Sequence, residues 1–544
     1  MSNNNAPAPL QTLAPEAPPL AREAGDALGR GDLQTARELC EELSRQCPEG
    51  GEAHYLLGAI SFSEGAFNDA CAHLWAADAA KPEQAQTLNL LARAFQQSGN
   101  INDARNTFAR AGALGLAQAW CELGRLEGAC GDVASGIAAF RRALELTPTS
   151  PDAHAGLAHL LEIRHDLSGA KMHALRALAL DPANASARLV LGATLLREGA
   201  FAEAELAAMP LADALIASRE DRAIAWNLIG EARDRRGEPH GAFRAFTVSN
   251  QLQLAQYSAV RDMPHPAHPN CVREMTRFTA TLDVSIWCWP AFDTDAPVFL
   301  VGFPRSGTTL LDQVLSSHSR IVCLEEKDYL WDALSEVMRD GDTLERISAL
   351  TNAEIVSIRH AYWRQVAQGH AHAPGEVLVD RQPLHIVLLP LIKRVFPDAK
   401  IIFALRDPRD VVLSCYQQCF AINVAMAQFL ELEIAASYYD AVMQLFTLCR
   451  DRLGFNILEV RYKNVVVDLK TEARRLASFL DLPFEAAMLD HRSTALDRTI
   501  KTASARQVIE PVYVRSLGRW RRYEQELAPV LPLLNTWAAR FGYE

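Results

Sequence analysis

P-V-F-L-V-G-F-P-R-S-G-T-T, Pro297 to Thr309, is the stretch on which the reading of the chain turns. Val298 to Val301 have the length and β-branched content of a buried strand, and Gly302 and Gly307 bound a tight turn. Apolar residues then recur at helical spacing from Thr308 to Ser316. Strand, glycine-bounded loop and helix start together make an anion cradle. The loop N–H groups converge, and the helix N-terminus adds partial positive charge. Four residues separate the two glycines and Thr308-Thr309 follows, which is a Walker A frame with threonine in the lysine position. That lysine serves the β- and γ-phosphates of a triphosphate, so a loop that lacks it but contains Arg305 suits a shorter, less charged group.

Downstream lies I-I-F-A-L-R-D-P-R-D-V-V-L-S, Ile401 to Ser414. The two stretches, in this order, resemble the 5′-phosphosulfate loop and the 3′-phosphate strand and helix of sulfotransferases that use 3′-phosphoadenosine 5′-phosphosulfate (PAPS). The resemblance implies donor contacts from Arg305, Ser306, Gly307, Thr308 and Thr309 in the loop and from Arg406 and Ser414 downstream. From Val298 to Glu326 the chain resembles protein-tyrosine sulfotransferases without a gap, which implies that Glu326, the second carboxylate of I-V-C-L-E-E-K, is the catalytic base. Chemically, an acceptor hydroxyl needs such a group, being a poor nucleophile until its proton is removed. As helix-start carboxylates, Glu325 and Glu326 would instead be favoured by the helix dipole alone.

Charge that develops on the bridging and sulfuryl oxygens calls for pre-placed cations. Arg305 is one. The family's D-K-x-P lysine corresponds to Arg381 in Asp380-Arg381-Gln382-Pro383, a change that keeps the charge but alters reach and donor geometry. His385, near the same strand end, reads as an auxiliary acid/base or a hydrogen-bonded structural histidine. V-R-Y-K at 460–463 resembles the family's V-x-Y-E, with Tyr462 expected near adenine and Lys463 in place of the glutamate. Ile500–Val512 and Ser516–Trp520 resemble its closing segment, with Ser504 and Arg519 as phosphate contacts. Between Arg498 and Tyr523, seven basic residues accompany a single acid, Glu510, which by itself suggests an anion site.

Around these motifs, apolar strand candidates at 297–301, 376–380, 399–405 and 456–461 alternate with helical segments at 326–339, 351–368, 422–449 and 469–480. Such alternation predicts a parallel sheet covered on both faces, with ligands at the carboxyl ends of its strands. The expected α/β, P-loop-like sulfotransferase domain runs over 295–544.

Upstream, Ala36, Ala70, Ala104, Gly136, Ala170, Ala204 and Ala242 recur at steps of 34, 34, 32, 34, 34 and 38 residues. A 34-residue helical period resembles the tetratricopeptide repeat. Leu57-Gly58, Leu123-Gly124, Leu191-Gly192 and Ile229-Gly230 fill the first-helix slot, and Pro48, Pro82, Pro148 and Pro182 close repeats. Small residues let the helices of each hairpin touch, which predicts an α-solenoid of about seven hairpins over 20–254. Trp120 and Trp226 read as core, and loop or curvature changes are expected at the irregular steps near 136 and 242. M-P-H-P-A-H-P, Met263 to Pro269, cannot continue a helix and marks a linker over 255–294. His265 and His268 lack further ligands at metal spacing. The whole, an array followed by a catalytic domain, resembles bacterial tetratricopeptide-containing sulfotransferases, which implies PAPS as co-substrate, no metal, and an acceptor polypeptide or glycan held by the solenoid.

Composition sets outer bounds. With 544 residues, 49% hydrophobic and 22% charged, the chain has room for at least two soluble domains, and a net charge of −12 argues against whole-surface binding of nucleic acid or membrane. Eleven scattered cysteines without C-x-x-C fit a reducing, cytoplasmic compartment. Residues 1–19 read as a disordered leader without the features of a secretory signal, and no apolar run is long enough to span a membrane. A P-loop kinase shares the strand-loop-helix but predicts the missing lysine, with Asp380 imitating a Walker B aspartate. A non-catalytic adaptor is kept open by Arg381. Tyrosine in a polypeptide is the expected acceptor, with glycans and small molecules as alternatives.

Overall fold

The structure, a computed structural model, describes residues 18–47, 50–324, 326–335, 346–370, 373, 375–490 and 516–543. It divides into two compact units, Met1–Leu211 and Ala212–Glu544.

In the first unit, helices from Pro19–Gly29 to Leu167–Leu180 pair into five hairpins, and Ala185–Glu198 and Phe201–Ala212 follow in the same phase. The period is physical. Ala36, Ala70, Ala104, Ala170 and Ala204 expose no surface, and Gly136 is buried in the same position. The first-helix glycines are locks: a Cβ on Gly58 would lie 2.5 Å from Leu74 and one on Gly124 2.7 Å from Phe140, so a larger residue would push the paired helices apart. Asp32, Asp132 and Asp166 cap second helices by accepting from the N–H groups of Thr35, Ser135 and Gly169. The 32-residue step comes from a second helix, Ile101–Ala113, one residue shorter than Phe67–Ala80, and from its connection to Ala117–Cys130, which is cut from four residues to three, 114–116.

The second unit opens with a seventh hairpin in the same phase, Arg219–Arg235 and Pro239–Arg261. Its 38-residue step is absorbed largely by the first of these helices, which is 17 residues long where first helices of the preceding hairpins have 11 to 14. The second runs on to Arg261, through the start of the stretch expected to be a linker. That stretch is structured further on: helix Pro269–Thr281 buries Val272 and Met275 in the core of the second unit. His265 and His268 shape its entry, each accepting through Nδ1 from a backbone N–H, of Ala267 and Asn270 respectively.

The core of this unit is a five-stranded, all-parallel sheet of order β2-β3-β1-β4-β5, with β1 Val298–Gly302, β2 Ile321–Cys323, β3 Val377–Asp380, β4 Lys400–Leu405 and β5 Asn456–Arg461. Side chains alternate across it. Phe299, Val301, Ile401, Phe403 and Leu405 enter one apolar cluster; Val298, Leu300, Ile402 and Ala404 enter another. β2 was not foreseen, because three edge residues carry too little pattern. Helices Asn352–Gly369, Leu432–Arg452 and Leu469–Phe479 fall within the expected helical segments or within a few residues of them. The segment expected to be helical from 326 begins its helix only at Tyr329, which leaves Glu326 on the connection before it.

Candidate functional site

The chain leaves β1 toward β2 on one side of the sheet and β4 toward β5 on the other, so the crevice between the ends of β1 and β4 is a topological switch point. Gly302 pairs with Ala404 there. A Cβ on Gly302 would lie 2.7 Å from Ser306 Oγ and 2.8 Å from the Ala404 carbonyl oxygen, which is why this turn requires glycine. Arg305 has φ +69° and Gly307 +104°, left-handed values that fold the loop back before the helix Thr308–Ser316 begins.

Within this loop the Ser306 hydroxyl is buried and has no hydrogen-bond partner among the described residues, in a residue only 3% exposed. A buried hydroxyl left in that state is costly unless a ligand meets it. Arg305 Nε donates to Ser414 Oγ at 3.1 Å, and Arg406 Nη1 donates to the Arg305 carbonyl at 3.1 Å. Arg305, Arg406 and Ser414, which the sequence assigns to opposite ends of the donor, thus form one connected group. Tyr462 lies against it: its ring would be 2.6 Å from a Cβ on Gly307, and the Arg406 guanidinium sits 5.0 Å from its centroid.

Arg381 emerges from the end of β3 and is bound on both sides. Its Nη1 pairs with Glu326 and its Nε lies 3.5 Å from Asp312 Oδ1, on the helix that follows the loop. Burial pushes the Glu326 carboxyl above its usual range; Arg381 opposes the shift and Asp312 reinforces it. Asp312 was missed at the sequence level, where it looks like one polar position on an apolar helix. Its signal would have been burial, at 2% exposed. Beside this group His385 is buried, with Nδ1 3.4 Å from Asp380 Oδ1 and Nε2 3.9 Å from Asp328 Oδ1. Asp380 is fully buried and accepts from the Tyr362 hydroxyl at 2.9 Å. It faces inward, which does not suit the exposed Walker B role.

The C-terminal motifs divide. Ser504, Glu325 and the basic residues 498, 501, 506 and 515 lie outside the described residues. Arg519 is described, and its Nη2 donates to Asp234 Oδ2 at 2.8 Å. Arg522 reaches the same aspartate and Arg521 lies over Trp520, so a local surplus of arginine is partly balanced by a carboxylate remote in sequence. Ser516 touches the site directly. Its carbonyl accepts from Arg406 Nη2 at 2.8 Å and its hydroxyl lies 3.1 Å from the Tyr462 hydroxyl.

Residues 297–486 match the sulfotransferase family and residues 89–151 the tetratricopeptide repeat. An uncharacterized protein of Aquifex aeolicus is 31% identical over 44% of this chain, and the chain spans 32% of that protein's length. Protein-tyrosine sulfotransferase 1 of Danio rerio is 27% identical over 46% of this chain and 74% of its own length. A solved tetratricopeptide repeat protein from Parabacteroides merdae aligns with 43% of this chain and 91% of its own, at 18% identity and a TM-score of 0.35. The match to the sulfotransferase family thus falls on the parallel five-stranded sheet, and the match to the tetratricopeptide repeat falls on the helical hairpins upstream of it.

Proposed function

We propose that this chain transfers a sulfuryl group from PAPS to an acceptor hydroxyl, most readily the phenol of tyrosine in a polypeptide. The observation that carries the reading is the Ser306 hydroxyl, which has no partner among the described residues and is buried in a glycine-bounded loop that also holds Arg305 and offers no lysine for a γ-phosphate. Arg305, Ser306, Gly307, Thr308 and Thr309 would receive the 5′-phosphosulfate through backbone N–H groups, hydroxyls and one guanidinium. Arg406 and Ser414 would receive the 3′-phosphate, with Tyr462 beside the base. Arg519 would act through its own segment, since its guanidinium is held by Asp234.

In the transfer, the acceptor oxygen forms a bond to sulfur as Glu326 takes its proton. The bond from sulfur to the 5′-phosphate oxygen breaks, and its electron pair leaves with 3′-phosphoadenosine 5′-phosphate. Arg305 and Arg381 balance the charge gathering on that oxygen and on the sulfuryl group in transit. A carboxylate raised toward the working pH is a stronger base than an ordinary one, and Arg381 keeps it ionised. These arginines and the loop amides supply the positive charge that a metal gives in phosphoryl transfer.

Tyrosine is favoured by the named relatives, and a repeat array in the same chain suits a flexible polypeptide. No described helix is long and apolar enough to cross a membrane, and the cysteines are unpaired, in keeping with a cytoplasmic setting. A labelled-PAPS assay on peptide and glycan pools, with products identified by mass, tests the reading. Thermal stabilisation by ATP with Mg²⁺ and none by PAPS would overturn it. Arg381 also favours a second reading, a nucleotide-binding adaptor, because this replacement for the family lysine is engaged by Glu326 and Asp312 together. Nucleotide binding without turnover on any hydroxyl would support that one.

A further inference from the structure

The last hairpin of the repeat pattern carries polar side chains that the packing of helix on helix does not require. Asp234, near the end of Arg219–Arg235, has a side chain only 9% exposed. Three donors from the C-terminal segment converge on it. Arg519 Nη2 donates to Oδ2 at 2.8 Å, the Tyr523 hydroxyl donates to Oδ1, and Arg522 Nη2 donates to the Asp234 carbonyl at 2.8 Å. Burial and the neighbouring carboxylate push the Tyr523 phenol up, so it stays a donor at any ordinary pH. Without Asp234, two guanidinium groups would share one partly buried place with no opposing charge, an arrangement that does not persist.

The segment held in this way leads straight to the anion site. The N–H groups of Gly518 and Trp520 donate to the Asp410 carboxylate at 2.8 and 2.9 Å, and the Arg409 guanidinium lies 4.2 Å over the Trp520 ring. Asp410 and Arg409 belong to the helix Pro408–Tyr416, which also carries Ser414. At the head of the segment, Ser516 meets Arg406 and Tyr462. The same hairpin closes the other end of that helix. Asn250 Nδ2 donates to the Tyr416 carbonyl and Asn227 Nδ2 to the Gln417 carbonyl, each at 2.9 Å, groups that a helix C-terminus leaves without internal partners. Phe243 stacks on Tyr416 at 5.1 Å. Two routes therefore run from one repeat hairpin to Arg406 and to Ser414, both of which contact Arg305.

We propose that Asp234 is a positioning residue of the donor site, which fixes Ser516–Tyr523 against Arg406 and so makes the last repeat hairpin a working part of the anion-binding machinery. The donor's identity rests on the PAPS reading above; the positioning does not.

The test uses the full chain with Asp234→Asn and, as a milder variant that keeps the buried ring, Tyr523→Phe. Amide hydrogen exchange without ligand is read at Gly518 and Trp520, with Ile402 and Phe403 in the central sheet as the gauge of global stability. Affinity for 3′-phosphoadenosine 5′-phosphate is read by calorimetry. Faster exchange at 518 and 520 with the sheet unchanged, together with binding weakened by at least about fivefold, the lower end of ordinary coupling between sites, is the expected result. Unchanged exchange at both amides, or faster exchange with undiminished binding, overturns it. If Asp234→Asn does not fold, Tyr523→Phe decides by the same two readings. A wild-type chain that binds no nucleotide refutes the PAPS reading, and the exchange measurement still decides whether Asp234 holds the segment.

Discussion

The hairpins of the first unit and the seventh, 219–261, use one sequence pattern for two purposes. Gly124 is locked against Phe140, and Gly230 against Phe246, with nearly the same clearance for a missing Cβ, 2.7 and 2.6 Å. Yet Phe140 packs among repeat residues alone, whereas Phe246 and Ala242 belong to the apolar cluster that covers one face of the five-stranded sheet. A repeat period therefore reports how a hairpin closes on itself. It is silent on what the outer surfaces of that hairpin meet, which is decided by residues outside the lock, here Asn227, Asp234, Phe243 and Asn250.

The largest expected effect lies wholly on the catalytic side of this comparison. Glu326→Gln should lower turnover by roughly 10²–10⁴, the usual worth of a general base, and leave affinity for the product nucleotide nearly intact. Glu325→Gln should do much less; steady-state kinetics and calorimetry on both variants check the assignment, and a reversed order would shift the base to Glu325.

Truncation comes next, because it cuts the pattern at two places. Taken from the sequence, residues 290–544 should suffice for PAPS binding. The compact unit that holds the sheet begins at Ala212, so a chain of 212–544 should keep near-native donor affinity. One of 290–544 should lose tenfold or more, on the order of strong coupling between sites, or aggregate through the face that Phe246 and Ala242 leave bare. Equal donor affinity for both fragments would break the comparison. Loss of 1–211 should raise the Michaelis constant for a long acceptor far more than for a small hydroxyl compound, since remote contacts help only substrates that reach them.

Point changes at the locks sharpen it further. Gly124→Val and Gly230→Val should each destabilise their hairpin by about 1–3 kcal/mol, the common cost of overpacking. Only Gly230→Val should also weaken nucleotide binding, as thermal unfolding with and without ligand would reveal. The smallest effect is on pH. Glu326 must be unprotonated to act, so its raised pKa places the acidic limb of the rate profile above the ordinary carboxylate range. Arg381 works against that shift, and Arg381→Met should therefore move the limb to still higher pH in whatever activity remains. A limb that stays in place would mean that another group titrates.

The strand-loop-helix at 298–316 was legible because every part of it is local: a β-branched run, two glycines and a helix start within twenty residues or so. The repeat phase was legible for the same reason. Missed or misplaced features share the opposite property. β2 is three residues at a sheet edge and follows from its pairing with β3. Asp312 gains its meaning from Arg381, which follows β3, and Arg519 meets Asp234, which stands 285 positions away.

By itself the sequence determined the helical period, the anion-binding loop, the parallel alternation of the second unit and the identity of its charged candidates, since each depends on spacing within one or two elements. Only the tertiary structure decided which charges meet. It joined Arg305, Arg406 and Ser414 into one group, set Arg381 between two carboxylates, and put the seventh hairpin in one compact unit with the five-stranded sheet. The physical reason is that a buried charge is held by whichever opposite charge the fold brings within a few ångströms, and chain separation sets no limit on that choice.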